Sequence, residues 1–411
     1  MVETTTTTTL RANALISPTW HRLDMNEAEV DVVDSIADGI EIHVPEGAQE
    51  AEFGAFATAA LAAWATRPEQ AKTQNNTQPD DEILNGGEVN LDLAATSPVT
   101  RDMPQAFEHG MGRTAGEWLA AHAAKTRAVR VPAGTALAEP IVVHAHGKNA
   151  AASVASLDVV VEEGASAQVL VCFDAPEAGE GVIGSTLGVF ADADAHVDIQ
   201  TVHAASDGFT TMDDTALFLD DDARITVRHT VLGAGKSFVG LAGNLSGKRS
   251  DVHVTTRYVG HGEEEIDFNY LLRHRGEKTT CLMDAQGVLT DECTKILRGT
   301  IDLACGCAGA EGTETESVIL ADERVKNKSI PIILCSEDDV AGNHGATIGH
   351  MRPEQLNYLM SRGISQEAAE RLFATATFED AAITTPDAYT RQAIAKLAAE
   401  IGVPAQFDEA E

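Results

Sequence analysis

The sequence predicts a mainly β fold, a solenoid of stacked coils flanked by helical regions at both ends. Two observations carry this. From about residue 136 to 345 no segment has helical periodicity. Instead runs such as Leu157-Asp158-Val159-Val160-Val161, Gln168-Val169-Leu170-Val171, His196-Val197-Asp198-Ile199, Arg224-Ile225-Thr226-Val227 and Asp251-Val252-His253-Val254 alternate and are rich in β-branched residues. The turn–strand units that begin at Ala167, Ala195, Ala223 and Ser250 are then spaced 28, 28 and 27 residues apart. Near-constant spacing of equivalent units is the mark of coils that stack on their neighbours around a column of Val, Ile and Leu. A β-sandwich is the alternative, because it also strings short strands between turns.

The elements follow in order. Met1 to Thr9 is a Thr-rich run with neither the basic start nor the apolar core of a secretory signal, and is expected to be a disordered tail. Ala48 to Ala65 reads as a helix with Phe53, Phe56, Leu61 and Trp64 at helical spacing and Pro68 beyond it. Gln70 to Asn85 is polar and reads as a loop. Ala106 to Ala124 reads as a second helix anchored by Trp118 and Leu119, and Pro132-Ala133-Gly134 punctuates the chain. After the β region, Pro353 opens a helix with Leu356, Leu359 and Met360 on one face and Gly363 as its stop. Ser365 caps the next, whose apolar face is Ala368, Ala369, Leu372 and Phe373. Thr385-Pro386 opens a third, with Tyr389, Ile394 and Leu397 inside and Gly402 at its end. Three regions result: residues 1–135, a tail and helical region; 136–345, the β-solenoid; and 346–411, a C-terminal helical region.

Composition narrows the function. The chain has 411 residues, 44% apolar and 23% charged, as in an ordinary soluble globular protein, but its net charge is −35. Such a surface repels nucleic-acid phosphates and anionic membranes, so neither is an expected partner. No apolar run reaches the roughly 18–20 residues of a membrane span, and a cytoplasmic location is expected. The six cysteines include no Cys-x-x-Cys pair, so reduced thiols on strands are expected rather than a structural zinc site.

Several segments invite chemistry. Gly233-Ala234-Gly235-Lys236-Ser237 resembles the end of a phosphate-binding loop, but Thr230 stands where the motif needs its first Gly and no helix follows. It reads as a polar turn. His144 and His146 lie i, i+2 in a strand and so share a face, which makes half of a metal site, but no third ligand can be assigned. A polar outer strand face is the favoured reading. His261-Gly262-Glu263-Glu264-Glu265 reads as a solvated charged turn, and Arg273-His274-Arg275 as a basic knot suited to a contact surface. Asp220-Asp221-Asp222 offers paired carboxylates of the kind carbohydrate-active solenoid enzymes use, in a turn where solvation also accounts for them. There is no Gly-x-Ser-x-Gly, His-Glu-x-x-His or ordered Ser-His-Asp set, so the chain is not expected to be an enzyme. The densest segment is Asp338-Asp339-Val340 followed by His344-Gly345-Ala346-Thr347-Ile348-Gly349, in which small residues are expected to form a turn presenting one imidazole ahead of the docking-type helix.

That segment closes a longer signature. Leu297-Arg298-Gly299-Thr300-Ile301, Thr313-Glu314-Thr315-Glu316-Ser317-Val318-Ile319-Leu320, Ile330-Pro331, the His344 block, Gln355-Leu356-Asn357-Tyr358-Leu359 and Ser361-Arg362-Gly363-Ile364 together resemble the SufB/SufD family of iron–sulfur cluster assembly scaffolds. Thr19-Trp20-His21-Arg22 resembles the family's Trp-Arg entry. Within the family the SufD branch is favoured. Glu316-Ser317 stands where SufB-like chains carry a Cys, and Gly345 follows His344 where they carry Glu. Gly342, where many SufD chains have a Cys, is a departure that puts a thiol contribution beside His344 in doubt.

The resemblance implies a right-handed parallel β-helix and a complex with a SufB-like subunit and a SufC-like ATPase. The ATPase would dock on the C-terminal helices at Tyr358, Arg362, Gly363 and Phe373. A nascent cluster would form at the interface with the SufB-like subunit. His344 is the candidate metal ligand there, shared with that partner, because iron–sulfur clusters usually require several thiolates and one His cannot hold one. No cofactor is expected to be held stably by this chain alone. Flavin binding by the complex and a homodimer of the isolated chain stay open. The alternatives are a SufB-like scaffold and a solenoid-fold carbohydrate-active enzyme.

Overall fold

A computed structural model describes residues 7–16, 25–65, 109–350 and 353–404. The expected loop at 70–85, Pro68 and Thr19-Trp20-His21-Arg22 lie outside these residues. The chain begins with β1 (Thr7–Ala12), β2 (Ala28–Val33), β3 (Ile40–His43) and β4 (Gln49–Glu50), followed by helices α1 (Ala55–Ala65) and α2 (Arg113–Ala121). Sixteen strands come next, from β5 (Ala123–Val131) and β6 (Ile141–His146) to β19 (Lys326–Cys335) and β20 (Val340–Gly349). The helices α3 (Pro353–Ser361), α4 (Gln366–Thr384) and α5 (Ala388–Glu400) end the described chain. No helix among the described residues is long and apolar enough to cross a membrane.

The sixteen strands alternate between two sheets, odd-numbered strands in one and even-numbered in the other, each pairing in parallel with the strand two places on. This is the expected parallel β-solenoid. It starts at Ala123, ahead of residue 136, and runs to Gly349, past residue 345. Inward-facing Val, Ile, Leu, Phe and Ala fill its interior from Ile40 to Val318 as one continuous core. Each fully buried Val, Leu or Ile contributes about 1.5–3 kcal/mol.

The coil length varies. Ser166 sits beside His196, His196 beside Arg224, Arg224 beside Asp251, Asp251 beside Thr280 and Thr280 beside Glu311, giving coils of 30, 28, 27, 29 and 31 residues. The equivalent of Ala195 is therefore Ala165 and not Ala167. A shift of two leaves every side chain on its proper face, so the alternation survived the misplacement. One corner repeats in every coil. Gly134, Gly164, Asp194, Asp222, Arg249, Lys278 and Gly309 all adopt positive φ. Each donates its N–H to a carbonyl of the next coil, at 2.6–3.0 Å. This corner accounts for Asp220-Asp221-Asp222. Asp221 accepts from the Lys248 N–H at 2.7 Å, and Asp222 pairs with Arg249. The acids hold a turn together.

The flanking elements depart from expectation in informative ways. Thr7–Ala12 is a strand antiparallel to Ala28–Val33, not part of a tail, because Leu10 and Ala12 alternate inward beside Val30 and Val32. These pack with Met111 and with the anchors of α2, Trp118 and Leu119. Helix α1 starts at Ala55 rather than Ala48. It buries Phe56 and Ala60 against the solenoid, and leaves Phe53 and Leu61 exposed. At the other end, Ser365 accepts the Ala368 N–H as expected, and Gly363 takes φ 86° at the helix stop. Asp387 caps α5, accepting from the Thr390 N–H. Ile394, Leu397, Phe378 and Ala381 pack α4 and α5 onto Val142, Leu170, Val202 and Leu232, on the outer face of the even-numbered sheet.

Candidate functional site

The two ends of the solenoid differ. At the N-terminal end, β3 pairs antiparallel with β6 and β4 with β5, which closes both sheets. At the C-terminal end, β19 and β20 are the outermost strands, each paired on one side only among the described residues. No described strand lies beyond either along its ten residues.

His344 lies in the middle of β20, in strand and not in a turn. Gly345 and Ala346 are compatible with strand because β18 (Ala310–Leu320) lies alongside and supplies the hydrogen bonds. The imidazole is exposed. Its register partner is Glu314, and both have the inward parity shared by the buried Ala310, Gly312, Glu316 and Val318. His344 thus stands at the mouth of the solenoid, one coil beyond Glu314. Ile333 and Ile348, on the same edges, are 38% and 44% exposed.

Just inside the mouth lies a group of charges that sequence reasoning missed. Lys295 on β17 (Thr294–Leu303) is fully buried and donates to the Glu316 carboxylate. The Tyr258 hydroxyl donates to the same carboxylate at 3.3 Å, and Lys295 Nζ lies 5.7 Å over the Tyr258 ring. Burial pulls the Lys295 amine down, against the Glu316 charge. Glu314 is only 4% exposed. Burial, with Glu316 adding, pushes its carboxyl up to about 7, and Lys295 opposes the rise. Gly299 makes room for it, since a Cβ there would lie 2.3 Å from the Glu314 carboxylate. The Thr313-Glu314-Thr315-Glu316 run entered the sequence signature without a role for its acids. The signal was its pairing with Leu282, Asp284 and Gln286 outward and Cys281, Met283 and Ala285 inward, visible only once the coil register is known.

Arg298 in the signature has a structural task. Its side chain is wholly buried on the outer face, pairs with Asp267 and donates from Nε to the Met25 carbonyl at 2.8 Å. Asn13 donates to Asp267 at 2.7 Å. The pair pins the N-terminal segment to the solenoid.

The other candidates separate. On α3, Tyr358 is 58% exposed, with the Arg362 guanidinium 5.2 Å over its ring. Leu356 and Leu359 are half-buried, but Met360 is exposed. Phe373 is on α4 and, with Leu372, is exposed, while Ala369 on the same apolar face is buried. The Gly233–Ser237 segment is a corner between two strands, with Lys236 3.4 Å from Glu265. The Arg273-His274-Arg275 knot is not a contact surface. Arg273 is buried beside Asp302 at 3.3 Å, and His274 is buried against Thr279 and Cys281, with burial pulling it down to about 4. Nor is His261–Glu265 wholly solvated, since Glu264 is buried and its carboxyl held well above the usual range. Cys172, Cys281, Cys293 and Cys307 are buried thiols pushed up by burial, and Cys305 and Cys335 are exposed.

Comparison with known proteins agrees with this architecture. A family model described as "SUF system FeS cluster assembly, SufBD core domain" matches residues 143–377. The chain is 35% identical over 129 residues to the iron–sulfur cluster assembly protein SufD of Bacillus subtilis, covering 31% of this chain and 30% of that protein. It is 25% identical over 213 residues to the SufD of Escherichia coli, covering 51% of this chain and 50% of the relative. A SufBD family protein of Pyrococcus horikoshii is 29% identical over 141 residues, covering 34% of this chain and 31% of the relative. The chain thus spans between about a third and a half of the length of these relatives. Because the family match takes in more than half of the 411 residues, and those residues build the solenoid and its open end, this chain belongs to the SufBD family of iron–sulfur cluster assembly proteins, on its SufD-like side.

Proposed function

We propose that this chain is a non-catalytic SufD-type scaffold subunit. It joins a SufB-like subunit through the open end of its solenoid and carries a SufC-like ATPase on its C-terminal helices. The observation that carries this reading is the asymmetry of the two ends. One end is closed by antiparallel strands, and at the other two ten-residue strands are outermost, with no described strand beyond them. Free strand edges are templates for pairing with another chain, and soluble proteins normally blunt them. Here β19 carries Lys326, Lys328 and Pro331, but the two strands also expose Ile333 and Ile348. A partner solenoid with a matching end would continue both sheets. His344 would then sit at the junction, where it adds one imidazole to ligands supplied by the partner for the cluster being built, which is cargo and not a resident cofactor. A second copy of this chain is the competing occupant of that edge when the SufB-like subunit is absent.

The ATPase site is assigned to α3 and α4, where Tyr358, Met360, Leu372 and Phe373 form an exposed apolar group beside Arg362. Gly363 shapes the turn between the two helices. Co-purification tests both contacts at once. Ile348→Lys should lose the SufB-like subunit and retain the ATPase, and Arg362→Glu should do the reverse. If both variants retain both partners at wild-type ratios, the assignment of faces is wrong.

A further inference from the structure

Away from the open end, a second group of ligating side chains comes together where sequence alone offered only a strand pair. His144 and His146 share the outer face of β6, and β3 places Glu41 directly opposite His144. One ligand atom from each of Glu41, His144 and His146 lies within 4.8 Å of the others. Each imidazole already has one nitrogen on a carboxylate. His144 Nε2 is 3.0 Å from Asp387 Oδ2, and His146 Nδ1 is 2.6 Å from Asp174 Oδ1. Both carboxylates are themselves held. Thr390 donates to Asp387 from its N–H and hydroxyl, each at 2.7 Å, and the Tyr389 hydroxyl donates to Asp174 at 2.7 Å. The imidazoles are half-buried beneath Tyr389, and Glu41 is exposed on the solvent side.

We propose that Glu41, His144 and His146 bind one divalent transition-metal ion of the zinc class, with Asp174 and Asp387 as the outer-shell partners of the two imidazoles. A His that gives its N–H to a carboxylate is fixed in one tautomer and turns the lone pair of its other nitrogen outward, the arrangement metal-bound histidines use. Two imidazoles and a carboxylate suit zinc and its neighbours, with water completing the shell. Three carboxylates around the two rings make an acidic site whose charge a dication would offset in part. The ion would join three parts of the chain: the antiparallel strand that closes the solenoid, its first full coils, and the start of α5 through Asp387. The role is therefore a structural clamp, independent of the scaffold reading.

The test uses the full chain, stripped with chelator and titrated with Zn²⁺ by calorimetry and with Co²⁺ by visible absorption. The expected result is saturable binding of one equivalent, a cobalt d–d band of imidazole–carboxylate type, and a rise in thermal midpoint. Glu41→Gln removes a ligand from an exposed position and should fold as wild type in chelator while losing affinity at least about tenfold. Asp387→Asn, which leaves a capping side chain on α5 but removes the outer-shell carboxylate, should lose roughly 10–100-fold. Absence of one-equivalent binding, or Glu41→Gln and His146→Gln binding zinc as wild type does, would overturn the proposal and leave only diffuse association with the acidic surface.

Discussion

Glu314 should make the stability of this protein depend on pH in a way that one substitution abolishes. Its carboxyl is raised from the ordinary 4.5 to about 7, first by burial and then by Glu316. The folded state therefore keeps a proton that the unfolded chain has already released between those values. Stability must fall as pH rises through that window and level off above it. At ~1.4 kcal/mol per pH unit, the loss is on the order of 3 kcal/mol. Glu314→Gln has the same shape and cannot ionise. Urea unfolding of both proteins from pH 4 to 8 isolates the effect of Glu314 and its coupled neighbours Glu316 and Lys295, because the titrating groups that do not interact with it contribute equally to both and cancel. The variant should be close to wild type at pH 4 and should gain about 3 kcal/mol relative to it by pH 8. A difference that stays constant across the range, within about 0.5 kcal/mol, would refute the placement of an ionising carboxylate inside the mouth of the solenoid.

Two further outcomes follow from residues already placed. Arg298→Met strands the buried Asp267 carboxylate and should cost about 3–5 kcal/mol in chemical denaturation, with Asp267→Leu in the same chain recovering most of it. A fully additive pair of losses would mean the two do not act as a pair. The isolated chain should show no heat with Mg-ATP in calorimetry, because Lys236 sits in a solenoid corner beside Glu265 and no helix follows to face a phosphate. Micromolar binding that Lys236→Ala removes would contradict this.

The fold was legible because two periods coincide in the sequence. Alternation within strands fixed the faces, and the recurrence of units such as Ala195-His196-Val197 and Ala223-Arg224-Ile225 fixed the stacking. The exact coil length was not legible, because corners absorb insertions without turning a strand over. That uncertainty hid Glu314. Its inward parity is clear locally, but a glutamate in the core is recognisable only when Gly299 and Lys295 are known to lie across from it. His344 stood out from its small neighbours, yet the same neighbours suggested a turn. Strand was chosen by β18 alongside, a long-range pairing with no local signal. For His144 and His146 the shared face was readable, but Glu41, Asp174 and Asp387 come from three distant segments. What covers the apolar face of α4 was not legible for a related reason. Periodicity finds an apolar stripe but does not say whether this chain or another covers it.

The most direct test of the account is the iron and sulfide content of the proposed complex carrying His344→Ala, co-expressed with SufB-like and SufC-like subunits and purified anaerobically. His344 is exposed, so the complex should assemble and hydrolyse ATP as wild type does while holding few clusters. A variant complex with wild-type cluster content would contradict a role for the mouth of the solenoid in cluster assembly.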